Sequence, residues 1–359
     1  MSVGIKKTSL DEPSWRDDPR AVHPREPAHR PASAVAQALL AAWMASQSAP
    51  ACPVTGIAPL DELLPGLLMP GRLTVLGARP AVGKTALAMQ IAGHVAGIDN
   101  ATDVILVSLE MTAEALARRH VVARAIASGA PLHDPHLWRD ERDNGQIADG
   151  IVEFGALPYR IIDRDRERWA VGTAILEAVE TARKAGRRTG LVIVDYLQQI
   201  TDRDASTRER EVGLASVMLA ELAKTAGVAM LVLAQLNRGS ATAAEPRPPV
   251  VTDLRDSGQI EQDADCVLLL HRPAVVLGQA LPGGRPAQII VGKSRHWGVE
   301  PGHTIAMLDT GLRWQPEPVP VQVRPTTPGL RTEAEVGAAV NRWTQSMQQE
   351  QEVRHGPDL

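Results

Sequence analysis

From about residue 55 to residue 316 the chain alternates short, mostly apolar runs with longer stretches of helical character. The runs are Leu73–Leu76, Val104–Val107, Tyr159–Ile162, Leu191–Val194 and Met230–Leu233, and the helical stretches between them are 84–96, 112–128, 169–185 and 208–226. A strand that is apolar at successive positions buries both faces, and strands interleaved with helices make a parallel sheet covered on both sides. The pattern changes after Ala264, where Cys266–Leu270, Ala287–Val291, Thr304–Leu308 and Leu312–Trp314 are separated by Gly/Pro turns. These four pieces predict an antiparallel extension. The expected fold class is therefore α/β, a mostly parallel sheet with helices on both faces and an antiparallel C-terminal extension.

The flanks differ from this body. Residues 1–32 are rich in Pro, Arg, Asp and Glu without periodicity and read as a disordered arm. Residues 33–47 are Ala- and Leu-rich and read as one short helix, cut off by the breaker at 49–53. An isolated helix of that length is marginal in water, so it is expected to pack on something, with Val35, Leu39, Leu40 and Trp43 as its apolar positions. The segment 317–330 is Pro-rich, and a last helix is expected near 333–350, with Thr332 and Glu335 in capping-box spacing. The expected organisation is an arm (1–32), a linker helix and breaker (33–53), the α/β body (54–316) and a linker with a C-terminal helix (317–359). No repeat of 20–50 residues is evident.

Composition narrows the function classes. The 359 residues carry a net charge of −4, so a nucleic-acid site must be a local basic feature rather than a general coat. Two cysteines, Cys52 and Cys266, rule out a disulfide scaffold and fit a reducing cytoplasm. No apolar h-region opens the chain and no window approaches about 18 uninterrupted apolar residues, so neither a signal peptide nor a membrane span is expected.

Five stretches carry candidate chemistry. The first is A-R-P-A-V-G-K-T at 78–85, which follows a strand and opens a helix, as a P-loop must. Backbone N–H groups of the loop (Ala78, Arg79, Pro80 and Gly83 among its residues) and the helix N-terminus form an anion site. Lys84 would reach the β/γ-phosphates of ATP, and the Thr85 hydroxyl would ligate Mg²⁺. Ala78 stands where the strict pattern has Gly, with Gly77 one residue earlier. The plainer reading is a chance glycine turn. The second is L-V-I-V-D-Y at 191–196, where Asp195 ends an apolar strand and suits the Mg²⁺ shell; the plainer reading is an Asp that merely ends a strand. The third, V-S-L-E-M at 107–111, places Glu110 where it could deprotonate the attacking water, or simply favour a helix start. In the fourth, L-A-Q-L-N-R at 233–238, Gln235 could sense the γ-phosphate, a weak signal by itself. The fifth, V-G-K-S-R-H-W-G at 291–298, puts Lys293 and Arg295 on one strand face, where they could address a phosphate or simply be solvated.

These pieces, in this order, resemble the C-terminal motor domain of the DnaB-type replicative helicases, hexameric RecA-fold enzymes. The resemblance extends to T-G-I-A-P-L-D-E-L at 55–63, D-Y-L-Q at 195–198, Q-L-N-R at 235–238, D-L-R-D-S-G-Q-I-E-Q-D-A-D at 253–265 and K-S-R at 293–295, and covers roughly 54–316. It implies that Lys84 and Thr85 hold phosphate and Mg²⁺, that Asp195 supports the metal, that Glu110 is the catalytic base and that Gln235 senses the γ-phosphate. Lys293 and Arg295 are then donated across a subunit interface, with Arg295 as the arginine finger. Arg255, Asp256 and Gly258 become a channel loop tracking the DNA backbone. The implied function is an ATP-dependent helicase or translocase acting on single-stranded DNA as a ring, a hexamer in the family's pattern, with a loader or primase that the sequence does not identify. Two departures stand out: the family's helical N-terminal domain is lacking, and Asp256 occupies a usual Glu position. The rival readings are a RecA-superfamily recombination or repair ATPase, which does not need the 253–265 stretch, and a regulatory ATPase without unwinding activity.

Overall fold

The computed structural model describes residues 31–33, 35–37, 40, 52–99, 101–127, 144–237, 247–254, 257–272, 285–309 and 313–316, and the account below concerns those. By contacts the chain divides into Met1–Glu317 and Pro318–Leu359, and all described residues fall in the first unit. The arm, most of the linker helix including Leu39 and Trp43, and the C-terminal helix lie outside the described residues. Of the linker helix, positions 32, 33, 35–37 and 40 are helical, and Val35 is exposed.

The elements run α1 (Ala58–Leu63), β1 (Leu73–Ala78), α2 (Lys84–Ala96), β2 (Thr102–Ser108), α3 (Ala113–Ala127), α4 (Asn144–Ala156), β3 (Tyr159–Ile162), α5 (Arg168–Lys184), β4 (Arg188–Asp195), α6 (Arg208–Ala226), β5 (Met230–Gln235), α7 (Ser257–Asp263), β6 (Cys266–His271), β7 (Arg285–Ser294), β8 (Thr304–Asp309) and β9 (Trp314–Pro316). The strands form one sheet in the order β3-β2-β4-β5-β1-β6-β7-β8-β9. Pairing is parallel from β3 through β6 and antiparallel from β6 to β9.

The core explains the uninterrupted apolar strands. Leu76, Leu106, Ile193, Leu231 and Leu233 pack on one face against Leu87, Ile91 and Val95 of α2. Their neighbours Val75, Val107, Val194 and Val232 pack on the other against Ile175 of α5 and Val212 and Leu219 of α6. Leu233 is fully buried, so Leu233→Ala would cost about 2–5 kcal/mol. α6 is stopped at both ends by local chemistry. The Thr207 hydroxyl caps it by accepting from the Arg210 N–H, and Gly227 closes it at φ 62°, a left-handed conformation that favours glycine.

Three expectations need correction. The sequence pattern assigns Cys266–Leu270 to the antiparallel extension, yet β6 runs parallel to β1, because the chain returns to the same edge by a crossover that carries α7. Strand β4 begins at Arg188 rather than Leu191, since its polar start is held by ions rather than apolar packing: Arg188 pairs with Asp99 at 2.7 Å and bonds Thr102. Helix α4 has no counterpart among the expected elements. Gly145, Gly150 and Gly155 lower its intrinsic helicity, and packing of Ile147 on Val121 and Ala125 of α3 supplies what propensity lacks.

Candidate functional site

β1 ends at Ala78, and residues 79–83 carry the chain to Lys84, the first residue of α2. Ala81 and Gly83 both have positive φ, 61° and 108°. Alternating left-handed residues turn successive N–H groups to one side and make an anion-binding nest. Gly83 is the N-cap of α2, and no side chain bonds the first N–H groups of that helix. Those donors and the positive end of the helix dipole are left for a ligand. Gly83 also leaves little room for a Cβ, which would meet the Trp314 Nε1 at 3.1 Å and an Arg272 nitrogen at 3.3 Å.

Strand β4 brings Asp195 to this loop. The Thr85 hydroxyl donates to Asp195 Oδ2 at 2.7 Å. The other carboxylate oxygen, Oδ1, is buried and has no hydrogen-bond partner among the described residues. A hydroxyl beside an unpartnered carboxylate oxygen is a donor set for a small hard cation such as Mg²⁺. Lys84 Nζ lies 5.2 Å from the centre of the Tyr196 ring. Burial pushes the Lys84 ammonium below its ordinary pKa, against the charges of Asp195 and Glu110. Burial likewise pushes Asp195 above the usual carboxylate value, against the Thr85 hydrogen bond and the Lys84 charge. Both shifts mark charges held out of water ahead of a charged ligand.

The neighbouring strands deliver the rest. The Leu109 N–H donates to the Asp195 carbonyl at 2.8 Å, which sets Glu110, exposed, beside the end of β4. Gln235 ends β5 opposite Ala78. Leu231 and Leu233 face α2, so alternation along the strand puts the Gln235 side chain on the P-loop side as well. Arg79 donates to the Arg247 carbonyl at 3.1 Å, and Pro80 is exposed. Lys84, Thr85, Asp195, Glu110 and Gln235 therefore meet at the carboxyl edge of the parallel strands, where open α/β sheets bind ligands.

Lys293 and Arg295 are not part of this cluster. Lys293 pairs with Val267 at the start of β6, which lies beside Val75 at the start of β1, whereas the P-loop follows the end of β1. Both side chains turn to the C-terminal end of α7. Lys293 donates to the carbonyls of Glu261 and, at 2.8 Å, Ala264; Arg295 donates to the Gln262 carbonyl at 2.6 Å and Asp265 Oδ1 at 3.2 Å. Cations at a helix C-terminus meet unpaired carbonyls and the negative end of the dipole.

Arg255 and Asp256 lie outside the described residues. Gly258, expected in a loop, is helical and exposed within α7. Its helix forms because Ile260 packs into the core on the α6 side. Residues before the gap are tied to the end of β5: Leu236 bridges Leu254, and the Asn237 N–H donates to the Asp253 carbonyl at 2.8 Å. Sequence reasoning gives Tyr196 and Asp265 no role of their own. Adjacency to Asp195 is the available signal for Tyr196, and nothing in the spacing marks Asp265.

Fold and site together define a nucleotide-binding P-loop domain of the RecA-like class. Among solved structures, a phosphohydrolase unit described as an ATPase domain superposes with a TM-score of 0.64 at 25% identity, covering 79% of this chain and 98% of that one. The family model for the DnaB-like helicase C-terminal domain matches residues 54–305, and the chain belongs to that family. Relatives include the Replicative DNA helicase DnaB of Leifsonia xyli subsp. xyli (strain CTCB07), 37% identical over 67% of this chain and 51% of that protein. The Replicative DNA helicase DnaB of Pasteurella multocida (strain Pm70) is 34% identical over 67% and 50%. The chain thus spans about half the length of the curated relatives it matches.

Proposed function

We propose that this chain is the motor of an ATP-driven helicase or translocase that acts on single-stranded DNA as a ring, with ATP hydrolysed between subunits in the cytoplasm. The observation that carries the reading is the separation of the two charged clusters. Lys84, Thr85, Asp195 and Glu110 gather at one edge of the sheet, while Lys293 and Arg295 stand at the opposite edge of the same chain. Phosphoryl transfer needs positive charge at the γ-phosphate. A neighbour presenting its own Lys293 and Arg295 supplies that charge, and a closed ring makes every site complete.

In this reading the P-loop N–H groups and Lys84 bind the phosphates, and Mg²⁺, held by Thr85 and Asp195, neutralises their charge. Glu110 takes a proton from water as its oxygen forms the new bond to phosphorus; the bridging P–O bond breaks and ADP leaves. Gln235 reads the presence of the γ-phosphate. Arg255, Asp256 and Gly258 face the channel, six copies to a hexamer. At a net charge of −4 a lone subunit holds DNA poorly, whereas a ring of Arg255 side chains concentrates cations where the strand passes. The 33–53 linker helix docks on the adjacent subunit, and the segment 317–359 stands outside the motor. A solved DnaB-like replicative helicase is described with its interactions with primase; a loader or primase is the corresponding partner here.

The test is DNA binding by the purified chain with and without a non-hydrolysable ATP analogue. Expected are weak binding without nucleotide and tighter, sequence-independent, salt-sensitive binding of single strands with it. Arg255→Ala removes DNA binding and DNA-stimulated hydrolysis but keeps nucleotide binding. Deleting residues 1–50 converts the ring to monomers by light scattering. A wild-type assembly that neither binds single strands nor hydrolyses ATP faster in their presence makes the regulatory or repair ATPase the better account.

A further inference from the structure

The parallel ladder between β4 and β5 stops early. Val192, Ile193 and Val194 pair with Met230, Leu231 and Val232, and there the pairing ends. β4 runs one residue further, to Asp195, and the chain then turns into a short 3₁₀ segment, Leu197–Gln199. β5 continues to Gln235, supported on its other side by β1 through Gly77 and Ala78. The last part of β5 therefore has one edge without a strand beside it, at the residue whose side chain faces the nucleotide loop.

The Gln198 carboxamide fills that edge. Its Oε1 accepts from the Gln235 N–H at 3.0 Å, and its Nε2 donates to the Gln235 carbonyl at 3.4 Å. A side-chain amide offers the same donor and acceptor as a peptide group, so Gln198 stands in for the missing strand residue. Gln198 is anchored in turn. Its carbonyl accepts from Arg208, the first residue of α6, and Arg208 also donates to the Ile200 carbonyl at 3.2 Å and pairs with Glu211. Asp195, three residues before Gln198, belongs to the same turn. One side chain thus fixes the end of β5 to the strand that carries the metal-supporting carboxylate.

We propose that Gln198 is a positioning residue for Gln235: it clamps the Gln235 backbone so that the Gln235 side chain can discriminate a γ-phosphate. This rests on the ATP-motor reading above and adds to it a residue to which that reading gives no role. Truncating Gln198 frees the edge of β5 while leaving the P-loop, Lys84 and Thr85 untouched. The loss should fall on the distinction between triphosphate and diphosphate rather than on nucleotide binding as such.

The test is a double-mutant cycle with Gln198→Ala and Gln235→Ala, read by titrating full-length protein with a non-hydrolysable ATP analogue and with ADP. Gln198→Met, similar in size but without the amide, is the second variant. Expected are a preference for the ATP analogue in wild type, lowered about tenfold by Gln198→Ala or Gln198→Met, with ADP affinity unchanged within about twofold. In the Gln235→Ala background, Gln198→Ala has no further effect. Additive losses, a parallel loss of ADP affinity, or an unchanged preference each overturn the proposal. The motor reading fails on a different readout, the absence of DNA-stimulated hydrolysis by wild type, and the affinity ratio decides the role of Gln198 in either case.

Discussion

Two buried aspartates stand at opposite edges of the same sheet, Asp195 where β4 ends and Asp265 just before β6 begins. Asp265 is satisfied on both oxygens. Oδ2 accepts from the Leu73 N–H at 3.0 Å, and Oδ1 lies 3.2 Å from Arg295 and 3.1 Å from His296. Asp195 has one bond, from Thr85, and one oxygen without a partner among the described residues. A fold that partners both oxygens of one buried carboxylate and leaves the other short has separated its tether from its ligand site. Buried polar groups are normally paired, and the exception marks where a ligand is awaited.

The sharpest way to break that comparison is to ask whether the two edges need each other. Arg295→Ala should lower turnover of the assembled protein by on the order of 10³-fold, the low end for a finger arginine. Lys84→Ala should abolish nucleotide binding in the subunit that carries it. Mixing the two inactive variants should restore part of the activity, because some interfaces then join an intact P-loop to an intact Arg295. Steady-state hydrolysis across a mixing series checks this; a series that stays flat places both residues in one subunit's site and ends the trans reading.

Glu110→Gln is expected to have the next largest effect, about 10²–10³-fold on turnover with nucleotide affinity retained, since a general base is typically worth that much. Near-normal hydrolysis by this variant in the assembled ring would move the base elsewhere.

The sequence exposes these two edges unequally. Strands ending in Asp195 and Gln235 are legible because a continuous apolar run followed by a polar residue describes a buried strand opening onto a crevice. Helices α2 and α6 fall at 84–96 and 208–226 as expected, for both have strong local formers and glycines at their boundaries. What escapes is whatever depends on partners distant in sequence. Asp103, buried at the start of β2, takes Arg160 of β3 and Arg187 just before β4, and no spacing announces it. The Gln198–Gln235 clamp joins a side chain to a backbone across 37 residues and leaves no periodicity. The direction of β6 is hidden because a crossover through a seven-residue helix looks, in sequence, like a loop between antiparallel strands.

A smaller effect separates the aspartates by sign. Asp195→Asn removes a buried charge that lacks a full set of donors, so ligand-free protein should gain stability, on the order of 1 kcal/mol, while Mg²⁺-dependent turnover collapses. Asp265→Asn should lose about 1–3 kcal/mol, because it disrupts the acceptors that hold the Leu73 N–H, Arg295 and His296. Arg295 and His296 are 42% and 40% exposed, so solvent screening leaves most of that loss to the bond from Leu73. Thermal melting of the ligand-free variants decides it; shifts in the same direction erase the distinction between tether and site.

The smallest expected effect is in the pH dependence of those shifts. For Asp265, burial pushes the pKa up, but the bond from Leu73, the bond from His296 and the charges of Arg295 and His296 outweigh it and hold the carboxyl below its ordinary value. A depressed carboxylate contributes stability that is full above the unfolded pKa, near about 3.9, and is lost as pH falls through the folded one. The gap between wild type and Asp265→Asn should therefore hold from about pH 7 down to about 4 and close only below that. For Asp195, burial dominates and the pKa is raised. A raised carboxylate favours the folded state when protonated, so the advantage of Asp195→Asn should be full above the folded pKa and shrink as pH falls through it towards about 4. One gap thus narrows above about pH 4 and the other below it, in melting curves of the same three proteins. Two gaps that narrow together over the same interval would mean that the aspartates share one environment, and that the unpartnered oxygen of Asp195 is not what distinguishes the nucleotide edge.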